Sequence, residues 1–251
     1  MKLQHLRHAT HRLIYNGKTI LVDPVFSPAN TLPPIPGAPN GTFNPQTELP
    51  VPIDVLCTSD LLLVTHTHSD HFDGAAAEAL PKTMHTICSP HDESILREKG
   101  FTNQTVVTDR SLVDGIEIFR TGGTHGTGPS APMLNPVSGY VLKALGEPTL
   151  YITGDTVWCD EMQNALSRHQ PDIIIAYGGA ALYAGDTITM GIPDFEHIRA
   201  ACPESKLVVI HTNGWNHCGL TREAVRQWAK ETKQEPWVRV PEDGESIIME
   251  R

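Results

Sequence analysis

Four side chains able to bind a metal fall within six consecutive positions, His66-Thr67-His68-Ser69-Asp70-His71, directly after the apolar run Leu61-Leu62-Leu63-Val64-Thr65. Any fold that houses this chain must end a buried strand there and turn the cluster toward partners from elsewhere. In an extended segment residues two apart point to the same side, so His66 and His68 can grip one cation. Asp70 and His71 then fall in the turn before the next helix and face another direction, which suits a second cation. A lone His-x-His pair is more often two ordinary hydrogen-bonded histidines. Four ligand-type side chains in six positions ask for a metal.

Three later segments repeat the pattern of an apolar run ending in such a residue. Residues 116–120 lead through Gly122-Gly123-Thr124 to His125, residues 150–153 through Gly154 to Asp155, and residues 207–210 directly to His211. In α/β architectures sites form where strands end, so the four strand ends are expected to converge. The small residues around His125 and Asp155 let backbone approach the metals. Histidine is also abundant, 13 of 251 residues against 19 Lys+Arg, and it is the commonest metal ligand.

The surrounding chain reads as alternating strands and helices. Runs 12–15 and 19–22 flank Asn16-Gly17, a hairpin with a type I′ turn. Residues 61–65, 86–88, 116–120, 139–142, 150–153, 173–176 and 207–210 read as strands. Residues 72–80, 91–99, 160–169, 193–201 and 221–232 read as helices, the last capped by Thr221. Between them, residues 27–52 hold eight of the chain's 20 prolines, and no regular element survives that density. This Pro-rich loop reads as a connector or as a lid or arm over a site, since long loops in compact domains are often functional. No linker or short-period repeat divides the chain, so one domain over residues 1–251 is expected.

Charge and cysteines narrow the class further. With 29 Asp+Glu the net charge is −10, which repels nucleic-acid phosphates, and no Lys/Arg cluster offsets it. Five cysteines, none in a C-x-x-C pair, read as reduced thiols. With no apolar run near the ~18 residues that span a bilayer and no signal-like start, a cytoplasmic protein with no membrane span is expected.

The chain resembles the metallo-β-lactamase superfamily, whose hallmark is His-x-His-x-Asp-His followed by a lone His, an Asp and a final His. It is most similar to the branch containing L-ascorbate 6-phosphate lactonase and N-acylphosphatidylethanolamine phospholipase D. That likeness is carried by His8-Ala9-Thr10, Asp23-Pro24 and the segment from His211 through Gly214-Trp215 to His217. The resemblance implies an α/β fold, a four-layer αβ/βα sandwich of two mixed β-sheets flanked by helices. It also implies that His66, His68 and His125 hold one metal, Asp70, His71 and His211 a second, and that Asp155 bridges them. Asp155 stands where true β-lactamases carry Cys, which disfavours antibiotic hydrolysis.

The expected activity is metal-dependent hydrolysis of a small-molecule ester, lactone or phosphodiester by a hydroxide bridging a dinuclear site. Two divalent ions are expected, Zn²⁺ first and Mn²⁺ next. Asp70 and His217 are the catalytic candidates, His217 as leaving-group acid or substrate contact. Asp23 is a candidate to orient a ligand histidine and His8 a weaker site residue, while Trp215 and segment 177–190 are candidate pocket walls. An anionic substrate is compatible with two cations, and relatives in that branch often self-associate, so a homo-oligomer is also an expectation. The alternatives are a nuclease of the same superfamily and a noncatalytic metal-binding protein. A flavin-partnered di-iron oxidoreductase is disfavoured because 251 residues leave no room for a flavodoxin-like domain.

Overall fold

A computed structural model of the chain describes residues 1–250. Strands β1 (Lys2–Arg7), β2 (Thr10–Tyr15) and β3 (Lys18–Val22) form an antiparallel meander. Tyr15 pairs with Lys18 across Asn16-Gly17, whose φ angles are both positive, 51° and 71°, as a type I′ turn requires. Strands β4 (Leu61–Leu63), β5 (His85–Cys88) and β6 (Gln104–Val106) then add in parallel beyond β3. The second sheet starts with β7 (Arg110–Val113), β8 (Ile116–Thr121), β9 (Gly139–Lys143), β10 (Leu150–Ile152) and β11 (Ile173–Tyr177). After a small hairpin, β12 (Leu182–Tyr183) and β13 (Asp186–Thr187), β14 (Lys206–Ile210) and β15 (Val238–Arg239) extend that sheet, and β16 (Ser246–Ile248) returns to pair with β1.

Side-chain alternation with period two sorts the strands' residues between two cores. Ile20 and Val22, Leu61 and Leu63, Leu150 and Ile152, Ile173 and Ile175, and Val208 and Ile210 all face the layer between the sheets. Their neighbours Leu21 and Leu62 face outward, against α1 (Ile53–Leu56), α2 (Gly74–Ala79) and α3 (Glu93–Glu98). The outer face of the second sheet, with Tyr151, Ile174 and Val209, packs on α5 (Asp160–His169), α6 (Ile192–Ala201) and α7 (Arg222–Glu231). A short α4 (Ala131–Leu134) lies in the connection between β8 and β9. This is the expected αβ/βα sandwich. Buried on both faces, its parallel strands read as near-continuous apolar runs.

The differences from the sequence reading are local. The strand expected over 61–65 ends at Leu63, because Thr65 turns its backbone N–H to the Asp23 carboxylate at 2.8 Å. The helix expected from residue 72 starts at Gly74, because the Asp73 side chain caps it by accepting from Ala76 N. Strands β1, β6, β7, β15 and β16 went unread, being short or polar and lying at or near sheet edges. All five cysteines are free thiols, and among the described residues no helix is long and apolar enough to cross a membrane.

Candidate metal centre

Strand direction delivers the ligand-type residues to one place. Since β1 and β3 each pair antiparallel with β2, they run the same way, and β4 runs parallel to β3. In the second sheet β8 and β10 each pair antiparallel with β9, while β11 and β14 follow β10 in parallel. The C-terminal ends of these strands lead to His8, Asp23, the 66–71 segment, His125, Asp155 and His211, whose histidines and aspartates are all buried except the half-buried His68. His8, Asp23 and His211 sit in the left-handed backbone region, with φ of 50°, 44° and 62°. Non-glycine residues are uncommon there and such strain concentrates at functional sites.

The side chains fall into three groups whose ligand atoms lie within 4.8 Å of one another: His66, His68 and His125; Asp70, His71, Asp155 and His211; and His8, Asp70, His211 and His217, the last two sharing Asp70 and His211. Asp155 lies between the first two, with Oδ2 3.5 Å from His125 Nε2 and 3.3 Å from His71 Nε2, and Oδ1 3.4 Å from His211 Nε2. Asp70 Oδ2 is a second hub, 3.7 Å from His71 Nε2, 3.6 Å from His211 Nε2, 3.5 Å from His217 Nε2 and 3.3 Å from His8 Nε2.

Hydrogen bonds behind the imidazoles fix which nitrogen is free. His125 Nδ1 lies 2.8 Å from the Ile188 carbonyl and must donate, leaving the lone pair on Nε2. His71 Nδ1 donates to Asp23 Oδ2 at 2.9 Å, which likewise leaves Nε2 as the free acceptor. The Thr65 hydroxyl donates to Asp23 Oδ2 at 2.7 Å, so it accepts from His66 Nδ1 at 3.1 Å. Asp23 thereby sets two histidines, His71 directly and His66 through Thr65, and the Tyr177 hydroxyl donates to the same oxygen at 2.8 Å. Carboxylates behind ligand histidines play this orienting part in metal sites.

Free imidazole lone pairs therefore face carboxylate oxygens across 3.3–3.7 Å, an arrangement that repels unless a cation lies between. The buried His66 Nε2, His71 Nε2, both His211 nitrogens and Asp155 Oδ1 have no hydrogen-bond partner. With no cation between them a proton must take its place at His71 Nε2: despite burial, Asp155 and Asp70 raise that imidazole well above its ordinary value. Burial likewise opposes ionised Asp155 and Asp70, but surrounding imidazoles hold both well below the usual carboxylate range. A nitrogen and carboxylate set of this kind fits Zn²⁺, Mn²⁺ or Fe²⁺.

Above the cluster opens a cavity of about 150 Å³. Its mouth is apolar, formed by Ile35, Leu134, Tyr183 and Ile188, while His68, Ser69, Asp70, His125, Asp155 and His217 line the rest, and no Lys or Arg does. Burial pushes His217 down to about 4 and, with the neighbouring His211, His8 down to about 3, so both rings are neutral at pH 7. Trp215, a candidate pocket wall, instead stacks on His8 with ring centroids 5.0 Å apart. Tyr177 lies beneath the site on Asp23 rather than in the wall, and Asp186 turns away to Ser130. Sequence reasoning missed the parts of Thr65, Tyr177 and Ile35, because nothing marks a hydroxyl or an isoleucine as belonging to a site before the chain folds.

The family model described as the beta-lactamase superfamily domain matches residues 18–212. UPF0173 protein YddR of Bacillus subtilis is 35% identical over 98% of this chain and 99% of its own length. A UPF0173 metal-dependent hydrolase of Azorhizobium caulinodans is 30% identical over 76% of each chain. Among solved structures, isothiocyanate hydrolase from Delia radicum gut bacteria is 34% identical over 99% of each chain with a TM-score of 0.95. A possible metal-dependent hydrolase from Veillonella parvula is 33% identical, also over 99% of each chain, with a TM-score of 0.96.

Proposed function

The chain belongs to the beta-lactamase superfamily and, within it, to the UPF0173 family, and on that premise we propose a dinuclear metal-dependent hydrolase acting on a small, neutral substrate with an apolar group. The observation that carries the reading is the pair of adjoining ligand groups with Asp155 between them, beside a cavity with an apolar mouth. In it, His66, His68 and His125 would hold one cation and Asp70, His71 and His211 the other, with Asp155 available to both. Two such cations would supply an acidified water and polarise the oxygen or sulfur carried by the electrophilic carbon.

The protein's own residues do the rest. Asp23, Thr65 and the Ile188 carbonyl engage the Nδ1 atoms of His71, His66 and His125 and so turn the Nε2 atoms toward the site. Neutral His217, at the cavity wall, presents an N–H that can hydrogen-bond a leaving-group heteroatom. Ile35, Leu134, Tyr183 and Ile188 exclude water around the substrate's apolar part. With no Lys or Arg in the lining, this reading favours a carbon electrophile over an anionic phosphodiester. Esters, lactones and isothiocyanates qualify, the last supported by the structural relative that hydrolyses one. Phosphodiester hydrolysis is the second reading, supported by the likeness of residues 8–10, 23–24 and 211–217 to the lactonase and phospholipase D branch.

The test is turnover of metal-loaded protein on matched panels of aryl esters, lactones, benzyl isothiocyanate, phosphodiesters and single-stranded RNA. Fastest turnover on an uncharged carbon electrophile is expected. Preference for the phosphodiester or RNA would overturn the substrate reading, and no turnover on any member would favour a metal-binding protein without catalysis.

A further inference from the structure

A connecting loop satisfies its backbone with itself and with water. The Pro-rich segment 27–52 does so only in part, bonding Asn30 N to the Pro45 carbonyl and pairing Leu32 with Asn44, and it gathers a further set of hydrogen bonds on one buried residue beside the cavity, Asn216. Asn216 Oδ1 accepts from Ile35 N at 3.0 Å and from Asn44 Nδ2 at 2.9 Å. Its Nδ2 donates to the Asn40 carbonyl at 2.7 Å and its backbone N–H to Asn44 Oδ1 at 2.8 Å. Both side chains of the Asn44–Asn216 pair are fully buried, where an amide left unpaired is costly. The next residue along, His217, lines the cavity, and so does Ile35.

The arm is also anchored at its ends and along its edge. One buried guanidinium, Arg7, donates to the Ser27 carbonyl at 2.7 Å and the Thr47 carbonyl at 2.5 Å, gathering its two ends. At Gly37, with φ of 74°, an added Cβ would stand 2.8 Å from Ala184 N, so the arm abuts the turn of the β12–β13 hairpin. That hairpin is tied in turn to the start of α4, where Asp186 Oδ2 accepts from Ser130 N at 2.9 Å and Ser130 Oγ at 2.7 Å. Arm, hairpin and α4 contribute Ile35, Tyr183 and Leu134 to the cavity mouth.

We propose that the 27–52 arm is the size-selecting wall of the site: Asn216 holds Ile35 at the cavity mouth, and Ile35 limits the apolar group that a bound ligand can carry. Asn216 is a positioning residue, acting through Ile35. A cavity near 150 Å³ accepts a benzene-sized group, so a phenyl group fits and a naphthyl group meets Ile35. The inference rests on the hydrolase reading only in taking this cavity as the substrate's place.

The experiment measures binding, not turnover: titration calorimetry of zinc-loaded protein with benzohydroxamate and 2-naphthohydroxamate. Wild type is expected to favour the phenyl probe by about tenfold or more, and Ile35→Ala to bring the ratio below about threefold, the scale on which pockets discriminate apolar groups. Asn216→Ala should give the same loss, with no further change in the Ile35→Ala/Asn216→Ala double variant, since the two act through one contact. If Asn216→Ala does not fold, Asn44→Ala removes the same latch. Zinc content should stay at the wild-type level in each. Equal binding of the probes by wild type, or an unchanged ratio in Ile35→Ala, would overturn the proposal. Lost discrimination in a protein that hydrolyses no panel member would support the arm's role while refuting the hydrolase reading.

Discussion

Asp23 carries more of the site than its place outside the ligand set suggests. Its carboxylate accepts from Thr65 N, Thr65 Oγ1, His71 Nδ1 and the Tyr177 hydroxyl, and it is fully buried. An amide in its place sets an N–H against at least one of those donors. Asp23→Asn is therefore expected to weaken metal binding by about 10–100-fold, as the loss of orienting partners does elsewhere, with the fold retained. Competition against a fluorescent chelator, with circular dichroism as the fold control, measures this, and unchanged affinity would count against it. His125→Ala should sharply reduce turnover without unfolding the chain, read by initial rates beside a thermal melt. The seven ligand candidates were readable because side chains of these types cluster after apolar runs. Thr65, Tyr177 and Asn216 were not, since hydrogen-bonding side chains are everywhere in a sequence and only tertiary contact gives these three their work.

Among the elements, helices of ten residues and apolar strands read well, even strands as short as β4 and β10, while polar strands near the sheet edges such as β1 did not. The helix expected over 160–169 is observed as Asp160–His169, and Thr221 caps α7 by accepting from Ala224 N at 3.2 Å. Thr221→Ala should lower unfolding stability by about 1 kcal/mol, typical of a lost cap, as measured by urea titration. Strands of two or three residues that are not apolar throughout, such as β15 and β16, carry too few alternations to be seen before their partners are known. Their neighbourhood is held by charge. Asp243 links β1, the Pro-rich arm and α7 through His5, Thr47 and Arg222. Burial opposes its ionisation, but the His5 hydrogen bond and the nearby Arg222 hold its pKa down to about 2. A carboxylate depressed in the folded state stabilises above its unfolded value near 4, and that contribution disappears as pH falls toward 2. Melting temperature should therefore fall more steeply between pH 4 and 2 in wild type than in Asp243→Asn, and equal slopes would contradict the assignment.

For the molecule as a whole, alternating strands and helices were legible because the central strands are apolar on both faces, while the sandwich itself followed from the family resemblance carried by the ligand-type residues at their ends. The Pro-rich arm was legible only as irregular, since proline density says where regular structure stops and not where the chain goes next. The net charge of −10 is offset at the site itself, where two divalent ions would add about +4 beside the Asp70 and Asp155 carboxylates. The central claim is that the cluster is two adjoining sites sharing Asp155, and metal content measures it directly. Mass-spectrometric metal analysis of zinc-saturated, buffer-exchanged protein should give about two equivalents per chain for wild type, as a two-metal hydrolase requires. His125→Ala, which disables one ligand group and leaves Asp70, His71, Asp155 and His211 intact, should hold about one. Saturation of wild type at one equivalent, with no loss in His125→Ala, would contradict the account.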